Sequence, residues 1–70
     1  MSEVIQISLA AARVNAKLTQ QEVANKMKVG KKTIINWEKG AVAPSFASLN
    51  MLSDIYGIPV DNIFLPNKST

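Results

Sequence analysis

The chain has 70 residues, which is enough for one small domain with a thin margin of stability. It contains no cysteine and no histidine, which excludes disulfide bonds and the commonest zinc ligand. The composition, 47% hydrophobic and 19% charged, predicts a dense apolar core. No apolar run approaches the roughly 20 residues of a membrane span, and the first residues lack the pattern of a secretory signal. We therefore expect a soluble, cytoplasmic protein with no membrane partner.

The positive charge is concentrated in one segment. Residues 26–40 hold five lysines and one glutamate, which is +4, whereas the remainder holds three basic and four acidic residues, which is −1. The sum is the net charge of +3. Such segregation is typical of a surface that binds a polyanion. A lysine-rich solvated surface produces the same pattern, so charge alone does not decide between them.

The N-terminal part combines an arm with a first helix. Residues 1–7 are predicted to be an N-terminal arm, in which "EVIQI" is compatible with a helical turn or a short strand. Ser8 is a suitable N-cap for a helix that extends to about Ala16. Leu9 and Ala12 recur there at helical spacing and are expected to face the core.

The second helix has a clear start. Thr19 and Glu22 form the sequence pattern of a capping box, which predicts that the helix begins at Gln20. The helical spacing of apolar residues is interrupted after residue 27. The inner face is predicted to consist of Val23, Ala24 and Met27.

A third helix follows after a break of three residues. It is predicted from Lys31 to about Lys39, and Gly40 ends it. Two helices joined by so short a turn must approach closely. Ala24 is small enough for such a crossing, and Val29 is an apolar plug for the turn. The inner face of the third helix is assigned to Ile34 and Trp37.

Two further helices are predicted after the loop. The fourth covers residues 45–56 and ends at Gly57, and a short last helix covers about residues 60–65. Pro66 stops the last helix, and residues 66–70 are predicted to be a flexible tail. The fold class is therefore all-α, a compact bundle of five short helices within residues 8–65. The side chains expected to face the core from this part are Phe46, Leu49, Met51, Leu52, Ser53 and Tyr56.

Residues 18–40, "LTQQEVANKMKVGKKTIINWEKG", resemble the helix-turn-helix of the Cro and phage-repressor family, also called the xenobiotic-response-element family. The resemblance extends from about residue 9 to residue 64 and implies a lambda-repressor-like DNA-binding domain, with the helix-turn-helix at about residues 20–39. The positions in register with the family pattern are Leu18, Thr19, Gln20, Ala24, Val29, Thr33, Ile34, Trp37, Glu38, Gly40 and Pro44.

The sequence departs from the family pattern at three positions. Lys17 and Lys28 stand where glycine is common at helix ends, and a left-handed conformation there costs roughly 1 kcal/mol. Gly30 replaces the usual hydroxyl N-cap of the third helix, which removes a side chain that can contact DNA. We expect these departures to alter details of DNA contact and to leave the fold intact.

The resemblance implies that the third helix enters the major groove of double-stranded DNA. Asn36 then pairs with adenine and Ile35 contacts a thymine methyl. Lys31 and Lys32 contact guanine or neutralise phosphate, and the sequence does not assign these two roles between them. The alternative is that Ile35 belongs to the core and the lysines only solubilise the surface.

The resemblance implies that three more residues contact DNA, mainly its sugar-phosphate backbone. Gln20, at the start of the second helix, is expected to contact the backbone or an outer base. Thr33 and Lys39 are predicted backbone contacts. For Thr33 the alternative is that its methyl group packs inward.

Arg13 and Glu38 interrupt otherwise apolar faces. In similar proteins the matching residues form a mostly buried ion pair between the first and third helices. We therefore assign Arg13 and Glu38 a structural role in orienting the third helix. The alternative is two unrelated surface charges.

The resemblance also implies a homodimer, because specific repressors of this type read two half-sites about one helical turn apart. In relatives the end of the domain contacts the partner. Val60, Ile63 and Phe64 are the predicted dimer contacts, with Ile55 as a further candidate. The alternative is that these side chains close the core of the monomer.

The predicted function is a sequence-specific transcriptional regulator, and more narrowly a repressor from a phage or mobile element that binds a palindromic operator. Two alternatives are a protein-interaction module, such as an antitoxin or antirepressor partner, and a non-specific nucleoid protein. Control through a regulatory protein partner is compatible with the first prediction. Asp54 and Asp61 have no nucleophile, base or metal-ligand partner in the sequence pattern, so we expect no enzyme activity and no cofactor.

Overall fold

A computed structural model describes residues 6–65 of the chain, so residues 1–5 of the predicted arm and the whole predicted tail, 66–70, lie outside the described residues. The helices and strands are, in chain order, β1 (Ile7–Ser8), α1 (Leu9–Asn15), α2 (Gln20–Met27), α3 (Lys31–Lys39), α4 (Phe46–Tyr56), a 3-10 helix (Val60–Asn62) and β2 (Ile63–Phe64). In this described part, no helix has both the length and the apolar content to cross a bilayer.

The helix starts follow from side-chain caps. The Ser8 hydroxyl accepts from the backbone N–H of Ala11 at the start of α1. Thr19 and Glu22 form the complete capping box of α2. Ser45 caps α4, which therefore begins one residue later than predicted. Gly30 is the N-cap of α3 and contributes no side-chain hydrogen bond.

Both lysines in glycine-like positions adopt the left-handed conformation. Lys17 has φ 63° and Lys28, the C-cap of α2, has φ 60°. Gly40 and Gly57, which end α3 and α4, have φ 80° and 71°. The lysines thus adopt the backbone geometry of the glycines but carry the steric cost of a Cβ.

The prediction of a fifth helix over about residues 60–65 is wrong. Only residues Val60–Asn62 form a single 3-10 turn, and the chain then extends into β2. β2 pairs in parallel with β1, with Ile7 opposite Ile63 and Ser8 opposite Phe64. The described part of the chain therefore has four α-helices and a small strand pair. The periodicity of apolar residues does not predict this strand pair, because the two strands are far apart in the chain and meet only in the folded protein.

The core contains one buried residue cluster drawn from all four helices and β2. Its members are Leu9, Ala12, Val23, Ala24, Met27, Ile34, Trp37, Leu49, Leu52, Tyr56 and Ile63. Two predictions for α4 are wrong, because Phe46 is 76% exposed and Met51 is 45% exposed. Phe46 shares a helical stripe with Leu49, but it is the first residue of α4 and its side chain remains in solvent. Met51 lies between the two buried leucines in sequence, and its side chain is also exposed.

Candidate nucleic-acid interface

The close packing of α2 against α3 depends on small and apolar residues at the turn. Ala24 is fully buried where the two helices approach. The backbone N–H of Val29 donates to the carbonyl of Ala24 at 3.0 Å, and the Val29 side chain packs against the core. The turn is thereby tied to α2 on one side and to the core on the other.

Opposite faces of α3 differ in burial. Ile34 and Trp37 are buried in the core. Six of the seven residues predicted to contact DNA lie on α3, outside its buried pair. Lys31, Lys32 and Lys39 are exposed, whereas Thr33, Ile35 and Asn36 are partly buried. The core thus fixes α3 through one face and leaves a positively charged face in contact with solvent.

The Asn36 side chain is available for recognition. Its backbone carbonyl accepts from the N–H of Ala41 at 3.0 Å, which closes the end of α3. Its side-chain amide makes no hydrogen bond to residues 6–65. An amide with free donor and acceptor atoms matches the paired acceptor and donor of adenine in the major groove.

Arg13 of α1 is ion-paired with Glu38 of α3. The Arg13 Nε donates to Glu38 Oε2 at 2.7 Å, and Nη2 lies 3.4 Å from Oε1. A third guanidinium nitrogen, Nη1, donates to the carbonyl of Leu18 at 3.0 Å. The two side chains are only 16% and 8% exposed. The hydrogen bond to Glu38 raises the pKa of Arg13 despite the opposing effect of burial.

Gln20 is joined to the same pair. Its Nε2 donates to Glu38 Oε1 at 3.0 Å, so α1, α2 and α3 meet at one carboxylate. The sequence predicted the pair of Arg13 with Glu38, which the structure shows, but it assigned Gln20 only to DNA and missed the contact of Gln20 with this pair. A glutamine at the start of α2 and a glutamate near the end of α3 carry no local signal of being neighbours.

The predicted dimer residues differ in exposure. Ile63 is 5% exposed and belongs to the core of its own subunit, so the prediction that it contacts a partner does not fit the structure. Side chains alternate along a strand, and Phe64 accordingly points outward and is 49% exposed. Val60 is partly buried. Phe46 is an exposed aromatic side chain that sequence reasoning placed in the core.

The helix-turn-helix family model matches residues 9–63, most of the chain. The chain therefore belongs to the helix-turn-helix family, of the Cro and phage-repressor type.

Two curated relatives support this membership. The transcriptional repressor RstR of the cryptic phage CTXphi, from Vibrio cholerae, is 42% identical over 48 residues, which cover 69% of this chain and 43% of that protein. An uncharacterized HTH-type transcriptional regulator from Methanocaldococcus jannaschii is 35% identical over 48 residues, which cover 69% of this chain and 73% of the relative. The chain thus matches less than half the length of the phage repressor. No solved structure matches the chain significantly.

Proposed function

We propose that this protein is a transcriptional regulator that binds double-stranded DNA sequence-specifically, with α3 in the major groove. The observation that carries the proposal is the division of α3 into two faces. Ile34 and Trp37 hold the helix in the core, while three lysines and a free asparagine amide face outward. A buried anchor of this kind presents the outward side chains in a fixed orientation.

The outward residues have different roles in the proposal. Asn36 pairs with adenine, and Ile35 contacts a thymine methyl. Lys31 and Lys32 reach guanine edges or phosphates near the N-terminus of α3. Lys39 and Thr33 contact the DNA backbone and set the register of the helix.

We further propose that the regulator is a repressor that acts in the cytoplasm on bacterial or phage DNA. One curated relative is named a phage transcriptional repressor, and the match to it includes most of this chain. A repressor needs no catalytic group, because occupancy of an operator is enough to exclude other proteins from it. Regulation by a protein partner is compatible with this mode of action.

The proposed regulator is a homodimer on a palindromic operator. Phe46 and Phe64 are exposed aromatic residues at the start of α4 and in β2. Residues 40–53, the sequence neighbours of Phe46, contain no charged side chain. Uncharged apolar side chains suit an isologous contact, in which a patch meets its own copy. We place Val42, Phe46, Val60 and Phe64 in this contact.

The proposal is tested by titrating the protein against a duplex selected from random DNA and against a scrambled duplex of the same composition. We expect tight binding to the selected duplex and a steep decrease in log K with log salt on both, because lysines displace counterions from phosphate. Equal affinity for the two duplexes would favour a non-specific nucleoid protein. A flat salt dependence together with a tight protein partner would favour a protein-interaction module.

A further inference from the structure

Two residues other than glycine adopt the left-handed conformation, and both are lysines. Lys17 has φ 63° and Lys28 has φ 60°, and no other non-glycine residue among residues 6–65 has a positive φ. Glycine, asparagine and aspartate adopt this conformation most readily, whereas the Cβ of a lysine clashes there without compensation. Backbone preference therefore does not account for lysine at either position, and the property that the two residues share is a positive charge.

Neither charge has a partner within the described part of the chain. Both side chains are exposed, and neither forms an ion pair or a side-chain hydrogen bond with residues 6–65. A cation near a helix C-terminus is favourable, but α1 and α2 already carry Arg13 and Lys26 in their last turns. A strained residue that its own subunit does not require points to a function outside the subunit.

Lys17 is held close to the C-terminal half of α3. Its backbone N–H donates to the carbonyl of Val14 at 2.9 Å, and the carbonyl of the next residue, Leu18, accepts from Arg13 Nη1 at 3.0 Å. Arg13 in turn donates to Glu38 of α3 at 2.7 Å. These hydrogen bonds fix the loop that carries Lys17 near the helix that the proposed function places in the major groove.

Lys28 lies at the opposite end of α3. It is the C-cap of α2, and its backbone N–H donates to the carbonyls of Ala24 and Asn25. Only two residues separate it from Lys31, the first residue of α3. The Lys28 side chain therefore starts from a fixed backbone position near the N-terminus of α3, where Lys31 and Lys32 add to the positive charge.

A phosphate oxygen is the acceptor that suits an exposed lysine at these positions. The ammonium group is a compact donor of three hydrogen bonds on a flexible stem, so it tolerates variation in the position of its acceptor. The sugar-phosphate backbones border the major groove. Side chains beyond the two ends of a helix in the groove therefore lie nearer to phosphates than to base edges.

We propose that Lys17 and Lys28 bind DNA phosphates at the two ends of α3, and that the protein loses stability at both positions to make these contacts. The proposal rests on the proposed DNA-binding function, and it adds two residues that the sequence did not predict to contact DNA. Folding and binding are then opposed at both positions, because glycine relieves the strained backbone but removes the phosphate contact.

The test compares Lys17→Gly and Lys28→Gly with the wild type in stability and in DNA affinity. Lys26→Gln is the matched control, because Lys26 is exposed on α2 and the variant loses the same charge from ordinary helical backbone. Each protein is unfolded in urea, and each is titrated against the selected and the scrambled duplex over a range of salt concentrations.

Both glycine variants should have higher urea midpoints than the wild type but should bind both duplexes about 3- to 10-fold more weakly at about 0.15 M salt. The slope of log K against log salt should become shallower by about 0.9 in each, as expected for one lost phosphate contact. The control should keep its affinity within about twofold, because it loses only long-range attraction. Lys17→Arg and Lys28→Arg keep both the charge and the strained backbone, so they should keep the wild-type affinity and slope.

Affinity losses in the glycine variants no larger than in Lys26→Gln would overturn the inference, and preferential binding of the wild type to the selected duplex would leave the proposed function intact. A loss confined to the selected duplex would also overturn it, because a phosphate contact does not depend on sequence. Equal wild-type affinity for both duplexes would refute sequence-specific recognition, while shallower slopes in the variants would still support the phosphate contacts. A wild-type protein that binds neither duplex would refute the proposed function and the inference together.

Discussion

Arg13 and Glu38 join the first and third helices through a hydrogen bond of 2.7 Å between Nε and Oε2. The contact crosses 25 positions of the chain and lies at the edge of the core. Desolvation offsets much of the attraction in such a pair, so its main effect is to orient α3 and not to add stability. The proposed DNA-reading face therefore depends on a residue of α1 that does not lie on it.

Replacing Arg13 alone should be costly. Arg13→Ala leaves the largely buried Glu38 carboxylate without its cation, and we expect a loss of about 3 kcal/mol in the free energy of unfolding. Urea denaturation measures this loss, with exposed Lys26→Ala as a control that should change stability by less than about 0.5 kcal/mol. The double variant Arg13→Met, Glu38→Leu should recover most of the stability. A loss in Arg13→Ala no larger than in the control would contradict the buried-pair account.

Glycine should stabilise the protein at the two left-handed lysines. Lys17→Gly and Lys28→Gly each remove a Cβ from a position with positive φ, and we expect about 1 kcal/mol of added stability from each. Lys26→Gly, in the interior of α2, removes the same charge but should cost about 1 kcal/mol. Urea unfolding midpoints distinguish these outcomes. If Lys28→Gly destabilised the protein as much as Lys26→Gly, backbone strain at Lys28 would be refuted.

Stability should fall at high pH through Tyr56. Burial, with a smaller contribution from the Glu38 charge, raises the pKa of Tyr56 from 10.0 to about 12. The folded state thus holds the phenol proton more tightly than the unfolded state does. The resulting stability is complete below about pH 10 and is lost as the pH rises toward 12. Free energies of unfolding between pH 8 and 12 should decrease less steeply in Tyr56→Phe, and equal slopes would show that another group causes the decrease.

Charge at the exposed aromatic positions should dissociate the proposed dimer. Phe46→Asp and Phe64→Asp each place a carboxylate in an apolar contact, where an unpaired charge is costly. Val14→Asp is the control, because Val14 is 61% exposed on α1 and lies outside the proposed contact. Sedimentation equilibrium should show a weaker dimer for the two phenylalanine variants only. A monomeric wild-type protein, or equal effects in all three variants, would contradict the proposed surface.

The features predictable from the sequence are those with local signals. The capping box of Thr19 and Glu22 defines the start of α2, and Gly40 ends α3. The spacing of Ile34 and Trp37, three residues apart, predicts which side of α3 is buried, because helical spacing is a local property.

The features that sequence reasoning missed depend on contacts between distant segments. The pairing of Ile7 with Ile63 converts the expected last helix into a 3-10 turn and a strand. The exposure of Phe46 reflects where the core ends relative to the start of α4, which a helical stripe does not encode. The bond from Gln20 to Glu38 likewise requires the packed arrangement of α2 and α3.

The central claim is that the outward face of α3 reads DNA bases, and Asn36→Ala tests it most directly. The variant is compared with the wild type on a selected duplex and on its scrambled counterpart at one salt concentration, with Asn50→Ala on α4 as the matched control. We expect Asn36→Ala to lose about 1–3 kcal/mol of binding free energy on the selected duplex and almost none on the scrambled one. Full affinity of Asn36→Ala for the selected duplex, or the same loss on both duplexes, would contradict base reading by α3.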